Sequence, residues 1–364
     1  MRALFFIFLH SLQQAEGGLF SGPGSFYYFS NSSHYIGDRV IYDDETADMY
    51  FARDFMNELK VALRSSTAPP QLLQKSVNWL LIGDSTEQKL VEQFCDAMKR
   101  LSNKNKVALR HTNGGLQTHA HCTITISPTV KFQMANVFIF GYAEPTNVHQ
   151  AETRIHPLLR QAAGYTAVRI VRDLLQRNSP FLLQTFGSAT MPPLISMHSC
   201  LWDLNEHHGV HNKYYRPFLP ISYYEGAKRV SHLISSLAPQ SRLVISTCKP
   251  VNYMDTDENM NSRAGVTRSR DAQAALDAMI YKLMNHKDNV IHDMIDSARL
   301  LTGFEHYASD GRHYLSKAAY TMVNAYLNTF DRLLFKNNVE FLQSLNRASV
   351  EPLVTNINST YLFW

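Results

Sequence analysis

The sequence predicts an α/β chain, a parallel sheet of about five strands with helices on both faces. Two observations predict it. Apolar runs of strand length recur at 77–82, 106–110, 136–142, 193–198 and 242–247. Segments with apolar residues at helical spacing lie between several of them, at 86–101, 155–176 and 223–237. Apolar strands alternating with helices are the pattern of a parallel sheet buried on both faces.

Each element follows from its own residues. Residues 16–45 are rich in Gly, Ser, Tyr and Asn and read as an irregular lead-in. Residues 46–64 have helical spacing, and the stretch 65–70, ending in two prolines, breaks that helix. The run at 77–82 is the first strand. The helix at 86–101 gathers Leu90, Val91, Phe94, Cys95 and Met98 on one face. Residues 122–126 are a candidate for a short additional strand. The pattern is helical from 270 to 301 and again from 315 to 341, where the helix is expected to pack on the sheet. No internal repeat or low-complexity segment interrupts this order.

Composition narrows the function classes. Lys+Arg total 35 and Asp+Glu 31, and the basic residues are scattered, whereas a nucleic-acid surface needs a concentrated patch. No run approaches the length of a membrane-spanning helix. Arg2 followed by the apolar 3–9 has the layout of a signal peptide over residues 1–15, although the run is short and Gln13 is a poor residue before a cleavage point at Ala15. A buried strand or docked amphipathic start is the other reading, so secretory and cytoplasmic locations both stay open. Cys95, Cys122, Cys200 and Cys248 allow two disulfides without requiring them. Asn31-Ser32-Ser33 and Asn358-Ser359-Thr360 are glycosylation sequons that matter only after export.

The chemistry begins at Gly83-Asp84-Ser85, where the first strand stops and a helix starts. A hydroxyl at such a turn stands above the sheet edge, near the free amides of the new helix. Ser85 is therefore a candidate nucleophile. It is also a candidate N-cap, as is Asp84. Asp310-Gly311-Arg312-His313 lies after the last expected strand and before the C-terminal helix. His313 can take the serine proton while Asp310 holds the imidazole in the required tautomer. The amide of Ser85 is a natural oxyanion donor. Gly115, in the glycine pair after the second strand, is a second candidate. His198 and Asn205, at and beyond the end of the fourth strand, are polar candidates for the same task. Asp84, Trp202 and Asp203 are candidates for the pocket wall, with Trp202 equally suited to anchoring its loop in the core. His119-Ala120-His121-Cys122 and the group His207, His208 and His211 raise a metal site. Neither group comes with the motif a catalytic zinc requires, and no metal or cofactor is expected.

These residues resemble a known family. Gly83-Asp84-Ser85 with Asp310 and His313 looks like the SGNH (GDSL-like) hydrolase superfamily, and within it the PC-esterase group. The strings Ser199-Cys200-Leu201-Trp202-Asp203-Leu204 and Asp310-Gly311-Arg312-His313-Tyr314 resemble the animal PC-esterase domain-containing proteins, as does 244–251. The resemblance covers roughly residues 75–330. It implies a flavodoxin-like α/β/α sandwich over 75–330, preceded by an extension at 16–74 and followed by a helical tail at 331–364. It implies hydrolysis or transfer of acyl esters, with Ser85 as nucleophile, His313 as base, Asp310 as its partner and Gly115 as an oxyanion donor. The substrate would be a small-molecule, glycan or lipid ester. Two departures stand out. Thr86-Glu87-Gln88-Lys89 follows the serine where relatives place an arginine, and His198 stands where an oxyanion asparagine is expected. An inactive binding or scaffold protein on the same fold is the alternative.

Overall fold

The computed structural model describes residues 33–36, 39–42, 75–101, 106–114, 117–128, 130–139, 141–143, 167–188, 190–204, 207–208, 215–216, 220–250, 270–302, 304, 307–308, 313–331 and 333. The expected leader at 1–15, the helix at 46–64, Gly115, Asn205, Asp310, His211, both sequon asparagines and nearly all of the tail from 331 onward lie outside the described residues.

The chain forms a mixed α/β fold with a central sheet flanked by helices. Strands β1 (Ser33–Ile36) and β2 (Arg39–Tyr42) pair as a separate antiparallel hairpin within the segment expected to be irregular. The main sheet starts with β3 (Lys75–Gly83), which leads into helix α1 (Ser85–Leu101). Then come β4 (Val107–Gly114), β5 (Gln117–Ser127) and β6 (Val130–Phe138). Helices α2 (Ala167–Leu175) and α3 (Pro180–Phe186) precede β7 (Leu194–Met197). The short pair β8 (His207–His208) and β9 (Tyr215–Arg216) precedes α4 (Pro220–Leu237) and β10 (Arg242–Ser246). Helix α5 (Arg270–Met284), β11 (Asp293–Ile295), α6 (Ser297–Leu301) and α7 (Ser316–Asp331) complete the described chain.

The strand order is β11-β10-β7-β3-β6-β5-β4. All neighbours from β11 to β6 are parallel, whereas β5 runs antiparallel to both β6 and β4. The sheet therefore has seven strands and mixed direction, where the sequence suggested about five parallel ones. The 11-residue β5 is long but alternates polar His and Thr with Ala, Cys and Ile, so it lacks the apolar run of a strand buried on both faces. The three-residue β11 is too short to interrupt the helical pattern around it.

Side-chain alternation along β3 divides the core. Val77, Trp79 and Leu81 join one apolar cluster with α1, α6 and α7. Leu80 and Ile82 join another with α2, α3, α4 and α5. Two disulfides reinforce this arrangement. Cys95–Cys122 ties α1 to β5, and Cys200–Cys248 ties the segments that follow β7 and β10. Among the described residues, no helix is long and apolar enough to cross a membrane.

The topology positions the site. From β3 the chain crosses by α1 to the far edge at β4 and returns strand by strand to β6. From β6 it crosses to β7, on the opposite side of β3. Connections thus diverge at the carboxyl end of β3, the crevice where α/β sheets place their ligands. Ser85 stands at that end.

Candidate active site

The turn at Gly83-Asp84-Ser85 is tight because glycine permits it. A Cβ at Gly83 would come within 2.3 Å of Glu87 Cγ and 2.8 Å of the His198 carbonyl oxygen. Asp84, with no exposed surface, caps α1: its Oδ1 accepts from the Thr86 amide at 2.9 Å and the Thr86 hydroxyl at 2.7 Å. Its Oδ2 accepts weakly from the amides of Cys200 and Leu201, at 3.4 and 3.3 Å. Burial pushes the Asp84 pKa up. The two Thr86 bonds and Lys249 oppose burial and hold the pKa below its ordinary value. Capping falls to Asp84, so Ser85, the first helical residue, keeps its hydroxyl for other use.

That hydroxyl faces a histidine. His313 Nε2 lies 2.8 Å from Ser85 Oγ, and both residues are half-buried. His313 arrives from the segment just before α7, 228 residues along the chain. The Ser85 amide opens α1 and has no acceptor within the helix. A cleft of about 290 Å³, including its open mouth, adjoins this pair. Thr86, Lys89, Leu90 and Gln93 line it from α1, Ala319 and Met322 from α7, and Lys249, His313 and Tyr314 close it.

The other expected site residues fall elsewhere. His198 is buried at 1% exposure, with Nδ1 3.2 Å from Thr86 Oγ1. Thr86 spends its one hydroxyl proton on Asp84, so the proton between Thr86 and His198 must sit on Nδ1. Burial pushes the His198 pKa down, against the pull of Asp84 and Glu87, which favours the neutral ring. The ring's Nε2 is then a bare acceptor without a hydrogen-bond partner among the described residues, and His198 has no N–H left for an oxyanion. Asp84 and Asp203 do not line the cleft either. Asp203 accepts from the amides of Tyr142 and Ala143 at 2.9 and 3.1 Å and from the Ser199 hydroxyl at 2.7 Å. Gly141 (φ +93°) packs against it, and a Cβ there would come within 2.6 Å of Asp203 Oδ1. Trp202 is half-buried and meets Phe138 edge-on at 6.1 Å, an anchor for its loop.

The histidine groups find other partners. His119 Nδ1 accepts from the Phe138 amide at 3.3 Å, and His121 Nε2 lies 3.0 Å from Gln133 Oε1. Cys122 is in a disulfide. Among the described residues no group of three or more His, Cys, Asp or Glu could hold a metal.

Sequence reasoning missed one feature, a buried charged cluster beneath the cleft. Glu87 Oε1 accepts from Lys249 Nζ at 2.8 Å, and both Glu87 oxygens accept from the Tyr326 hydroxyl at 3.1 and 3.0 Å. His198 Nδ1 is 3.4 Å from the same Oε1. Glu87, Lys249 and Tyr326 have 1%, 6% and 1% exposure. They come from α1, the end of β10 and α7, so no local pattern reveals them. The one hint was a lysine and a proline ending an apolar strand at Lys249-Pro250.

No family model matches the chain, and no curated protein matches it. Solved structures offer distant likenesses. A carbohydrate esterase family 3 protein from Talaromyces cellulolyticus is 12% identical, covers 71% of this chain and 97% of its own, and has a TM-score of 0.32. A peptidoglycan O-acetylesterase is 11% identical over 80% of this chain and 97% of its own, with a TM-score of 0.35. A mutant acetyl esterase with acetate ion is 12% identical over 71% and 97%, with a TM-score of 0.31. At these values the likenesses carry no argument about function.

Proposed function

We propose that the protein is a serine acyl-ester hydrolase or O-acyltransferase. The observation that carries this reading is the 2.8 Å approach of His313 Nε2 to Ser85 Oγ at the carboxyl end of the central strand. That distance is within the reach a general base needs. His313 removes the Ser85 proton as Oγ attacks the ester carbonyl. The carbonyl oxygen becomes an oxyanion, held by the Ser85 amide at the start of α1. His313 returns the proton to the departing alcohol, leaving an acyl-serine. Water or an acceptor hydroxyl then gives its proton to His313 and attacks the acyl carbon, restoring Ser85. Asp310, three residues before His313, is the proposed partner for the imidazole Nδ1, and Gly115 and Asn205 remain candidates for the second oxyanion donor.

One observation favours the alternative, an inactive binding protein on the same fold. His198, the residue standing for the oxyanion asparagine, commits its N–H to Thr86. A fluorophosphonate probe separates the two readings. We expect labelling of the wild type, its loss in Ser85→Ala and a reduction of at least about 100-fold in rate in His313→Ala, the scale of a general base. A folded wild type that takes no label overturns the enzyme reading.

A further inference from the structure

We infer that Tyr314 is a positioning residue, whose hydroxyl bond to the Pro250 carbonyl holds His313 in line with Ser85. This rests on the esterase reading and adds to the same site the part that aims its base.

Ser85 is fixed as the first residue of α1. His313 lies in the segment before α7, and a loop residue works in catalysis only when a rigid scaffold positions it. The backbone beside it pairs within its own loop. Tyr314 bridges to Ala308, and the Leu315 amide donates to the Tyr307 carbonyl at 3.0 Å. Those bonds shape the loop without joining it to α1. The Tyr314 side chain makes a crossing, because its hydroxyl donates to the Pro250 carbonyl, 64 residues away.

Pro250 ends a firmly anchored segment. The Cys248 amide donates to Asp277 at 2.7 Å, and the Thr247 hydroxyl donates to Asp296 at 3.2 Å. The Lys249 carbonyl accepts from Gln273 at 3.1 Å, and Cys248 is bound to Cys200. The same segment is tied to α1 by the 2.8 Å bond from Lys249 Nζ to Glu87 Oε1. The bonds therefore close a ring. Ser85 and Glu87 share the first turn of α1, Lys249 and Pro250 are adjacent, and so are His313 and Tyr314. The contacts Glu87–Lys249, Tyr314–Pro250 and His313–Ser85 join these three short pieces. Opening one leg of such a ring lets the other contacts drift.

Apolar packing does not set this aim by itself. Tyr314 is 5% exposed, within the cluster shared with α1 and α7. Burial is non-directional, whereas a hydrogen bond constrains both distance and angle. Phenylalanine keeps the packing and loses the bond. A misplacement of about 1 Å can cost about 100-fold in rate.

The test is fluorophosphonate inactivation of the full chain, with the maximal rate constant separated from the half-saturating concentration. We expect Tyr314→Phe to lower the rate constant at least about tenfold and to leave the half-saturating concentration within about twofold. An altered cleft wall alone would move the second value instead. In the His313→Ala background the same substitution should change the rate less than about twofold, because a residue acting through His313 has nothing left to aim. Equal slowing in both backgrounds marks a general structural role and overturns the inference, as does an unchanged rate constant in Tyr314→Phe. A crystal structure of Tyr314→Phe reads the aim without turnover. We expect His313 Nε2 to lie more than about 3.5 Å from Ser85 Oγ, and an imidazole still within hydrogen-bond reach overturns the inference. Should Tyr314→Phe not fold, Glu87→Gln/Lys249→Met opens the ring at another leg and carries the same expectations. A wild type that takes no label sinks the esterase reading, and the crystallographic comparison then decides the placement of His313 by itself.

Discussion

The two flanks of the sheet on either side of β3 are built by different rules. On one flank β6, β5 and β4 return as a meander, with strands of 9, 11 and 8 residues. Its polar side chains satisfy one another near the sheet: His121 and Thr123 bond Gln133, and Gln133 reaches Asn78 on β3. On the other flank β7, β10 and β11 have only 4, 5 and 3 residues and are joined by crossovers. Each short strand ends in polar residues at the carboxyl edge, His198 and Ser199, Thr247 and Lys249, and Asp296. Parallel strands bring their ends to one edge, whereas a meander alternates them. The first flank therefore pairs its polar groups within the sheet, and the second gathers polar residues at the edge where the candidate site lies. Damage to the second should reach the site, and damage to the first should lower stability alone.

The largest effect should come from breaking the buried pair on the second flank. Lys249→Met leaves Glu87 buried without its cation and should cost about 3–5 kcal/mol. Adding Glu87→Gln removes the stranded charge and should restore most of that, since an uncharged pair is often as stable as a buried ion pair. Urea unfolding of the wild type, single and double variants measures this. If the double variant is no more stable than the single, the pair is not the electrostatic unit described.

The same contrast explains what the sequence could reveal. The strand–turn–helix at Gly83-Asp84-Ser85 and the histidine at 313 before the last helix were legible because each is local. The apolar runs gave β3, β7 and β10 for the same reason. Two strands were harder. Of β5 only 122–126 was legible, because alternating His and Thr hide the rest, and β11 is three residues in a helical stretch. The Glu87–Lys249–Tyr326 cluster was illegible because its members are 162 and 239 residues apart from Glu87. His198 was legible as a polar residue at the right strand end. Its commitment to Thr86 depends on a hydroxyl proton already given to Asp84, which only three-dimensional partners disclose.

The disulfides sharpen the comparison at the next scale down. Cys95–Cys122 closes 27 residues and belongs to the meander flank, while Cys200–Cys248 closes 48 and straps the ends of β7 and β10. Loop-closure entropy assigns both about 4 kcal/mol, and measured losses usually fall in the range of about 2–4. Replacing either pair with alanines should therefore lower the melting temperature similarly. Only loss of Cys200–Cys248 should also slow fluorophosphonate labelling, because Cys200 donates to Asp84 and Cys248 precedes Lys249. Equal labelling rates in the two variants would remove the functional distinction between the flanks.

The smallest expected effect is one of pH, because the flanks oppose each other. On the second flank, burial and then Asp296 push the pKa of Asp277 up to about 7 from 3.8, although its bond to the Cys248 amide pulls the other way. The folded state then holds a proton between about pH 4 and 7 that the unfolded chain has lost. Stability from this group falls as pH rises through that window. On the meander flank, burial pushes His121 down to about 4 from 6.5, with Arg110 adding to it and Gln133 opposing. Here the unfolded chain gains a proton first as pH falls, so stability from this group falls as pH drops from about 6.5 to 4. Each slope approaches about 1.4 kcal/mol per pH unit, and in their shared window the two nearly cancel. Single substitutions should expose them. Asp277→Asn, which keeps an acceptor for the Cys248 amide, should leave melting temperatures that rise from pH 4.5 to 6.5. His121→Gln should leave temperatures that fall over the same interval and on to pH 7. Differential scanning calorimetry at pH 4.5, 5.5, 6.5 and 7.5 reads both, and two variants with parallel profiles would show that neither group titrates as its burial requires.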